Sequence, residues 1–72
     1  MADKPIRPGR WRHFKGGLYE VLTEAKHTER DEELVIYRSL DDGCCYARPR
    51  RMFLEWVKHE GKLVARFTPL DD

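Results

Sequence analysis

The stretch that decides the fold is residues 12–22, which read RHFKGGLYEVL. A basic and aromatic segment meets the pair Gly16-Gly17 and passes directly into alternating residues that favour β-structure. Glycine adopts backbone angles that other residues avoid, so the pair predicts a bend that leads into a strand. The stretch therefore places a strand over residues 17–27, with a basic and aromatic surface at its beginning.

Alternation assigns the side chains of this strand to two faces, because residues two apart point the same way. One face carries Tyr19, Val21, Thr23 and Ala25, and the other carries Glu20, Glu24 and Lys26. Leu18 and Leu22 interrupt the polarity of the second face, so both faces are expected to be partly covered. The strand is long enough to bend.

The rest of the chain reads as short strands joined by tight turns. The further strands are predicted at residues 33–40, at 44–48, around Val57 and at 62–68. Pro49 ends the third strand, and one short helical turn is expected after it. Residues 1–10 predict a flexible N-terminal arm, and residues 11–70 a single domain. The fold class is therefore all-β, a small five-stranded barrel with one helical turn.

Length and composition narrow the class of protein. A chain of 72 residues buries only about 60 % of its unfolded surface, which allows one small core. No apolar run approaches the roughly 18 residues of a membrane span, and the start lacks the apolar segment of a signal peptide. We expect a cytoplasmic domain without membrane contact. Its oligomeric state is left open.

Charge is unevenly spread although the net charge is only +1. Residues 1–15 carry +4 and residues 43–53 carry +3, whereas residues 16–42 carry −5. Two basic segments therefore flank an acidic hairpin. Such asymmetry can mark a partner surface, and it also occurs on ordinary solvated domains.

Cys44 and Cys45 are the two cysteines of the chain. Neighbouring side chains on a strand point to opposite faces, so we expect one thiol in the core and one outside. The sequence has neither a C-x-x-C nor an H-x-x-H spacing. It therefore predicts no metal site and no cofactor.

Several short motifs occur in order along the chain. They are residues 12–22, then Glu32-Glu33-Leu34-Val35 with Tyr37-Arg38, then Tyr46, Arg48-Pro49 and Met52-Phe53, and finally Arg66-Phe67. This pattern resembles the bacterial family known as domain of unknown function 1653, over roughly residues 11–68. The resemblance implies an SH3-like barrel and implies no activity. The Cys44-Cys45 pair departs from the pattern.

The first functional hypothesis is a non-enzymatic module that binds a protein or peptide. Aromatic grooves on SH3-like barrels accept peptides, and the ligand-binding residues predicted here are Tyr19, Tyr46, Arg48 and Trp56. Tyr37 is another aromatic candidate, and its strand pattern makes it the one expected to be buried. Arg48 and Arg66 can anchor a ligand, or pair across the sheet with Glu20 or Glu55.

The second hypothesis is nucleic-acid binding, because cations neutralise phosphates and aromatic rings stack on bases. The residues predicted for it are Arg12, Lys15, Arg48, Arg50 and Arg51, in segments 10–15 and 48–51. The structural alternative is that Trp11 and Phe14 cap an open end of the barrel while the arginines pair with the acids of the hairpin.

A third hypothesis is small-molecule binding or an enzymatic site near His13. The spacing of the three histidines builds no catalytic group, so no catalytic residue is predicted. A cleft that brings His13, a carboxylate and an arginine together would favour an enzyme.

Overall fold

Seven strands and one helical turn make up the computed structural model, which describes residues 6–70. In chain order they are β1 (Gly9–His13), β2 (Leu18–His27), β3 (Glu32–Ser39), β4 (Cys45–Pro49), α1 (Arg50–Phe53), β5 (Trp56–His59), β6 (Lys62–Ala65) and β7 (Phe67–Pro69). Five strands form an antiparallel sheet in the order β4-β3-β2-β1-β7, and β5 pairs with β6. The all-β class is confirmed, but the predicted count of five strands is wrong. A closed SH3-like barrel is not confirmed.

The two extra strands arise at the ends of the domain. β1 lies in the segment that the sequence marks as basic and aromatic, and it pairs with both β2 and β7. The predicted last strand divides at Arg66, whose N–H donates to the Glu55 carbonyl at 2.9 Å while its own carbonyl accepts from the Phe14 N–H at 2.9 Å. Glu55 directly precedes β5 and Phe14 directly follows β1, and Arg66 itself lies between β6 and β7, so it is the residue at which the chain crosses from one sheet to the other.

The N-terminal segment lies partly within the sheet. Residues 1–5 of the predicted arm lie outside the described residues. Ile6 is buried in the core, and its backbone N–H donates to Glu24 Oε2 at 2.8 Å. Gly9 and Arg10, also assigned to the arm, begin β1.

A bulge in β2 changes which side chains face the core. Val21 lies opposite Tyr37 but Thr23 lies opposite Ile36, so Leu22 is an extra residue on this strand. After the bulge, Glu24 lies opposite the fully buried Val35. The predicted alternation is therefore wrong beyond Val21, because one inserted residue exchanges the two faces.

The core lies between the five-stranded sheet and the helical turn. Its buried residues are Ile6, Trp11, Val21, Val35, Tyr37, Phe53 and Phe67. The turn predicted after Pro49 is confirmed as α1, which places Phe53 flat against Phe67 at a centroid distance of 4.2 Å. Within residues 6–70, no helix is long and apolar enough to cross a membrane.

Candidate functional site

Aromatic side chains from all five strands of the large sheet meet at one end of its inner face. The register places Tyr37 opposite Tyr46 and His13 opposite Phe67. The ring centroid of Tyr19 lies 5.5 Å from that of Tyr37, 6.5 Å from that of Tyr46 and 5.7 Å from that of Phe67. Tyr37 and Phe67 are buried, Tyr19 is half-buried and Tyr46 is exposed. We call His13, Tyr19, Tyr46 and Arg48, above the buried rings of Tyr37 and Phe67, the aromatic–basic site.

The Gly16-Gly17 turn sets the position of two of its residues. The His13 N–H donates to the Gly17 carbonyl and the Gly16 N–H to the His13 carbonyl, both at 2.7 Å. Gly16 has a φ of +106°, which a side chain would strain. A Cβ at Gly17 would lie 3.1 Å from Cε1 of the Tyr19 ring. Glycine therefore lets β1 turn tightly into β2 and lets Tyr19 lie close to the turn.

Arg48 is the half-buried cation of the site. Its Nε donates to the Tyr37 hydroxyl at 3.0 Å, and its guanidinium carbon lies 5.9 Å from the centroid of Phe67. The hydrogen bond and the ring hold the planar guanidinium in one orientation. Arg48 forms no salt bridge with any carboxylate in the described part of the chain.

His13 lies close to Arg48 and to two further cations, Arg66 and Lys15. Its ring centroid is 4.9 Å from Phe67 and 4.6 Å from Phe14, and its Nδ1 accepts the Lys15 N–H at 3.1 Å. Burial lowers the pKa of His13 below 6.5, and the charges of Arg48, Arg66 and Lys15 lower it further. At neutral pH the imidazole is therefore neutral, with its proton on Nε2.

This shift gives a pH dependence that can be measured. The unfolded chain binds a proton on His13 below pH 6.5, whereas the folded chain resists it, so stability is lost as pH falls from about 7.5 through 6.5. We expect His13 to titrate below 6.5 in a proton NMR titration of the folded domain. In urea unfolding, His13→Asn should show a smaller loss of stability between pH 7.5 and 5.5 than the wild type. A value at or above 6.5 would contradict the proposed electrostatics.

Arg66 supplies the second cation near His13, but it is largely neutralised. Its Nη2 donates to Glu55 Oε1 at 3.0 Å, as the sequence hypothesis allowed for this pair. Glu20, the other predicted acid, pairs instead with Arg38 at 2.6 Å. Arg66 Nε is buried and has no hydrogen-bond partner within residues 6–70.

The rim of the site near Tyr46 is acidic. Asp42, and after it Cys44, raise the pKa of the Tyr46 phenol above its ordinary value. The Asp42 carboxylate accepts the Cys44 N–H at 2.9 Å, and this bond lowers its own pKa. The site therefore has a cationic end at Arg48 and an acidic rim beyond Tyr46.

The predicted peptide residues separate into two groups. Tyr19, Tyr46 and Arg48 come together in the aromatic–basic site. Trp56 lies on β5 in the other sheet, opposite Ala65, with 64 % of its surface exposed. Tyr37 is buried, as predicted. Phe67 is the site residue that sequence analysis missed, because only the long-range pairing of β7 with β1 brings it beside His13.

The residues predicted for nucleic acid have different surroundings. Arg12 and Lys15 are exposed, and Lys15 Nζ lies 5.9 Å from the centroid of Phe14. Arg50 pairs with Glu24 at 2.7 Å and Arg51 with Glu32 at 3.6 Å, as the structural alternative expects. Trp11 is buried and its Nε1 donates to the Arg7 carbonyl at 2.9 Å. Nucleic-acid binding stays a prediction.

The thiols do not divide between core and surface as expected. Cys44 precedes β4, and Cys45 lies at the start of this edge strand, opposite Arg38. Both are free and exposed, so the prediction of one buried thiol is wrong. Among residues 6–70, no three histidine, cysteine or acidic side chains are grouped so as to hold a metal ion.

Comparison with known proteins identifies the family. The family described as a protein of unknown function, domain of unknown function 1653, matches residues 9–69. The chain belongs to this family. The crystal structure of a family member from Bordetella bronchiseptica is similar, with a TM-score of 0.83 and 32 % sequence identity. The similarity covers 90 % of this chain and 87 % of the other, so the family fold spans β1 to β7. Among curated proteins, no match to the chain is found.

Proposed function

We propose that this domain of unknown function 1653 is a non-enzymatic module that binds a protein or peptide through the aromatic–basic site. The observation that carries the proposal is the exposed ring of Tyr46 beside the half-buried Tyr19 and Arg48, over a floor of buried aromatic rings. Tyrosine and arginine are among the side chains that most often contribute a large share of the binding energy at protein interfaces.

The floor favours binding by a preformed surface. Tyr37 contacts Phe53 and Phe67 at centroid distances of 5.4 and 5.5 Å, so the rings beneath the site are fixed in the core. A partner then finds Arg48 already oriented by the Tyr37 hydroxyl and loses little entropy in ordering it. Rigid anchors of this kind suit recognition of an extended segment.

The electrostatics around His13 favour binding over acid–base chemistry. A general base is helped by a carboxylate that stabilises its protonated form. Here the charged groups that act on His13 are Arg48, Arg66 and Lys15, which oppose protonation, and the carboxylate of Glu55 is paired with Arg66. The arrangement thus supports His13 as a neutral hydrogen-bonding group of the binding surface.

A cytoplasmic location is part of this proposal. Cys44 and Cys45 are both exposed and unpaired, which suits a reducing compartment. The expected partner is therefore a cytoplasmic protein.

The proposal is tested with a random peptide library selected against the immobilised full chain. We expect selected peptides, resynthesised and titrated, to bind the Tyr46→Ala variant about tenfold or more weakly than the wild type, because a central aromatic anchor is lost. Amide chemical shifts of Tyr19, Tyr46 and Arg48 should change on binding.

Trp56→Ala is the matched control, since it also removes an exposed aromatic ring but from the other sheet. Its peptide affinity should equal that of the wild type. Selected peptides that lose affinity with Trp56→Ala and keep it with Tyr46→Ala would place the binding surface on β5 and overturn the proposal. A selection that yields no binder at Tyr46 would also reject it.

A further inference from the structure

We infer that the partner presents a carboxylate, which the guanidinium of Arg48 binds through its two terminal nitrogens. This inference rests on the proposed function and adds the chemical class of the group that is recognised. It follows from the contacts of Arg48, from the count of charges around it and from the side chains that surround it.

Arg48 has hydrogen-bond donors that its neighbours leave unused. Four other arginines each form an ion pair with a glutamate, namely Arg38 with Glu20, Arg50 with Glu24, Arg51 with Glu32 and Arg66 with Glu55. Arg48 donates one side-chain hydrogen bond, from its Nε to the Tyr37 hydroxyl at 3.0 Å. Its terminal nitrogens have no hydrogen-bond partner in the part of the chain that the structure describes.

The positive charge of Arg48 is held partly away from bulk water. Arg48 is half-buried against the ring of Phe67, and its strand neighbour across β3 is the fully buried Val35. An ion pair formed in such surroundings is screened less than one on an open surface. A planar carboxylate matches the guanidinium with two parallel hydrogen bonds.

The number of charges around Arg48 favours a ligand with a single negative charge. His13 is neutral at neutral pH, and Glu55 neutralises Arg66. Lys15 is exposed over Phe14 and so is screened by solvent. One effective positive charge remains at Arg48. This balance suits a singly charged carboxylate better than a phosphate, which carries about −1.5 to −2 near neutral pH.

The same charges exclude a methylated ammonium group, which is the other kind of ligand that clustered aromatic rings bind. Aromatic cages bind methylated ammonium groups by cation–π contact. The cation of Arg48, only 5.9 Å from the Phe67 centroid, would repel such a group from the floor of the site. Asp42 at the opposite rim repels anions, so it directs the carboxylate toward Arg48.

The probes are N-acetyltyrosine and N-acetyltyrosine amide, which share one ring and differ in the carboxylate. Each is titrated into the full chain while the Nε–Hε signal of Arg48 is followed by NMR. We expect the acid to shift this signal and to bind about tenfold or more tightly than the amide. Two further probes are titrated in the same way. The α-amide of N-acetylglutamate represents a side-chain carboxylate and phenyl phosphate represents a phosphate, whereas N-acetyltyrosine represents the carboxylate at a chain end.

Arg48→Gln and Arg12→Gln are matched variants, because both remove one positive charge and Arg12 is exposed on β1. Arg48→Gln should abolish the preference for the acid, and Arg12→Gln should keep it. Arg48→Lys, which retains the charge without the planar fork, should bind the acid with intermediate affinity. If Arg48→Gln does not fold, the inference is tested by the affinities of the wild type and of Arg48→Lys for N-acetyltyrosine and for its amide.

Three outcomes would overturn the inference. The amide could bind as tightly as the acid, both arginine variants could lose equal affinity, or phenyl phosphate could bind about tenfold more tightly than either carboxylate. Peptides selected at Tyr46 that are insensitive to Arg48→Gln would reject this inference alone. A failure of the proposed function shows itself differently, as the absence of any peptide that depends on Tyr46.

Discussion

Phe53→Ala is expected to cause the largest loss of stability of any single substitution discussed for this domain. Phe53 has no exposed surface, stacks on Phe67 and meets the ring of Trp11 at a centroid distance of 5.2 Å. Removing a buried aromatic ring costs about 3–5 kcal/mol. A chain of 72 residues has a free energy of unfolding of about 4–11 kcal/mol, so the variant loses from about a quarter to all of it. Urea unfolding followed by tryptophan fluorescence measures the loss.

Leu54→Ala is the control for this prediction. Leu54 follows Phe53 directly, is exposed, and loses a side chain of comparable chemistry on truncation. Its free energy of unfolding should stay within about 0.5 kcal/mol of the wild type. Equal losses for both variants would mean that α1 does not close the core as described.

The local parts of this fold could be predicted from the sequence. The β2–β3 hairpin, β4 and the turn after Pro49 follow from alternation, Gly43 and the missing N–H of proline, all of which act within a few residues. β1 could not be found this way, because GRWRH has one large apolar side chain and no alternating pattern. Its pairing with β2 and β7 supplies the order that its own sequence does not specify.

The bulge at Leu22 shows a second limit of sequence analysis. Alternation assigns Glu24 to the outer face, yet one inserted residue brings it to the inner face opposite Val35. Leu22 is itself exposed, so a residue that looks like core marks the interruption. Strict period-two reasoning cannot place such an insertion unless the partner strand is known.

Part of the aromatic–basic site could be predicted from the sequence. Tyr19 lies on β2 before the bulge, and Tyr46 and Arg48 lie two residues apart on β4, so period-two spacing predicts their faces and they converge. Trp56 has the same residue chemistry but belongs to the second sheet. The low pKa of His13 depends on burial and on Arg48 and Arg66, which are distant in sequence and approach it only through the sheet register.

Glu24→Ala is expected to have the next largest effect on stability. Glu24 accepts from Arg50 at 2.7 Å with its Oε1 and from the Ile6 N–H at 2.8 Å with its Oε2. The two charged side chains are only 25 % and 13 % exposed. Removing the acid leaves Arg50 partly desolvated and releases the N-terminal segment, so we expect a loss of about 2 kcal/mol. The thermal midpoint should fall by about 8–16 °C.

Glu20→Ala is the control that isolates burial as the cause. Glu20 contacts Arg38 at 2.6 Å, but these side chains are 38 % and 44 % exposed. Water and salt screen an exposed pair, and its removal leaves no desolvated charge. Its thermal midpoint should therefore stay close to the wild type although its ion pair is the shorter of the two. If both variants lost the same stability, the distance between the charges would matter more than their burial.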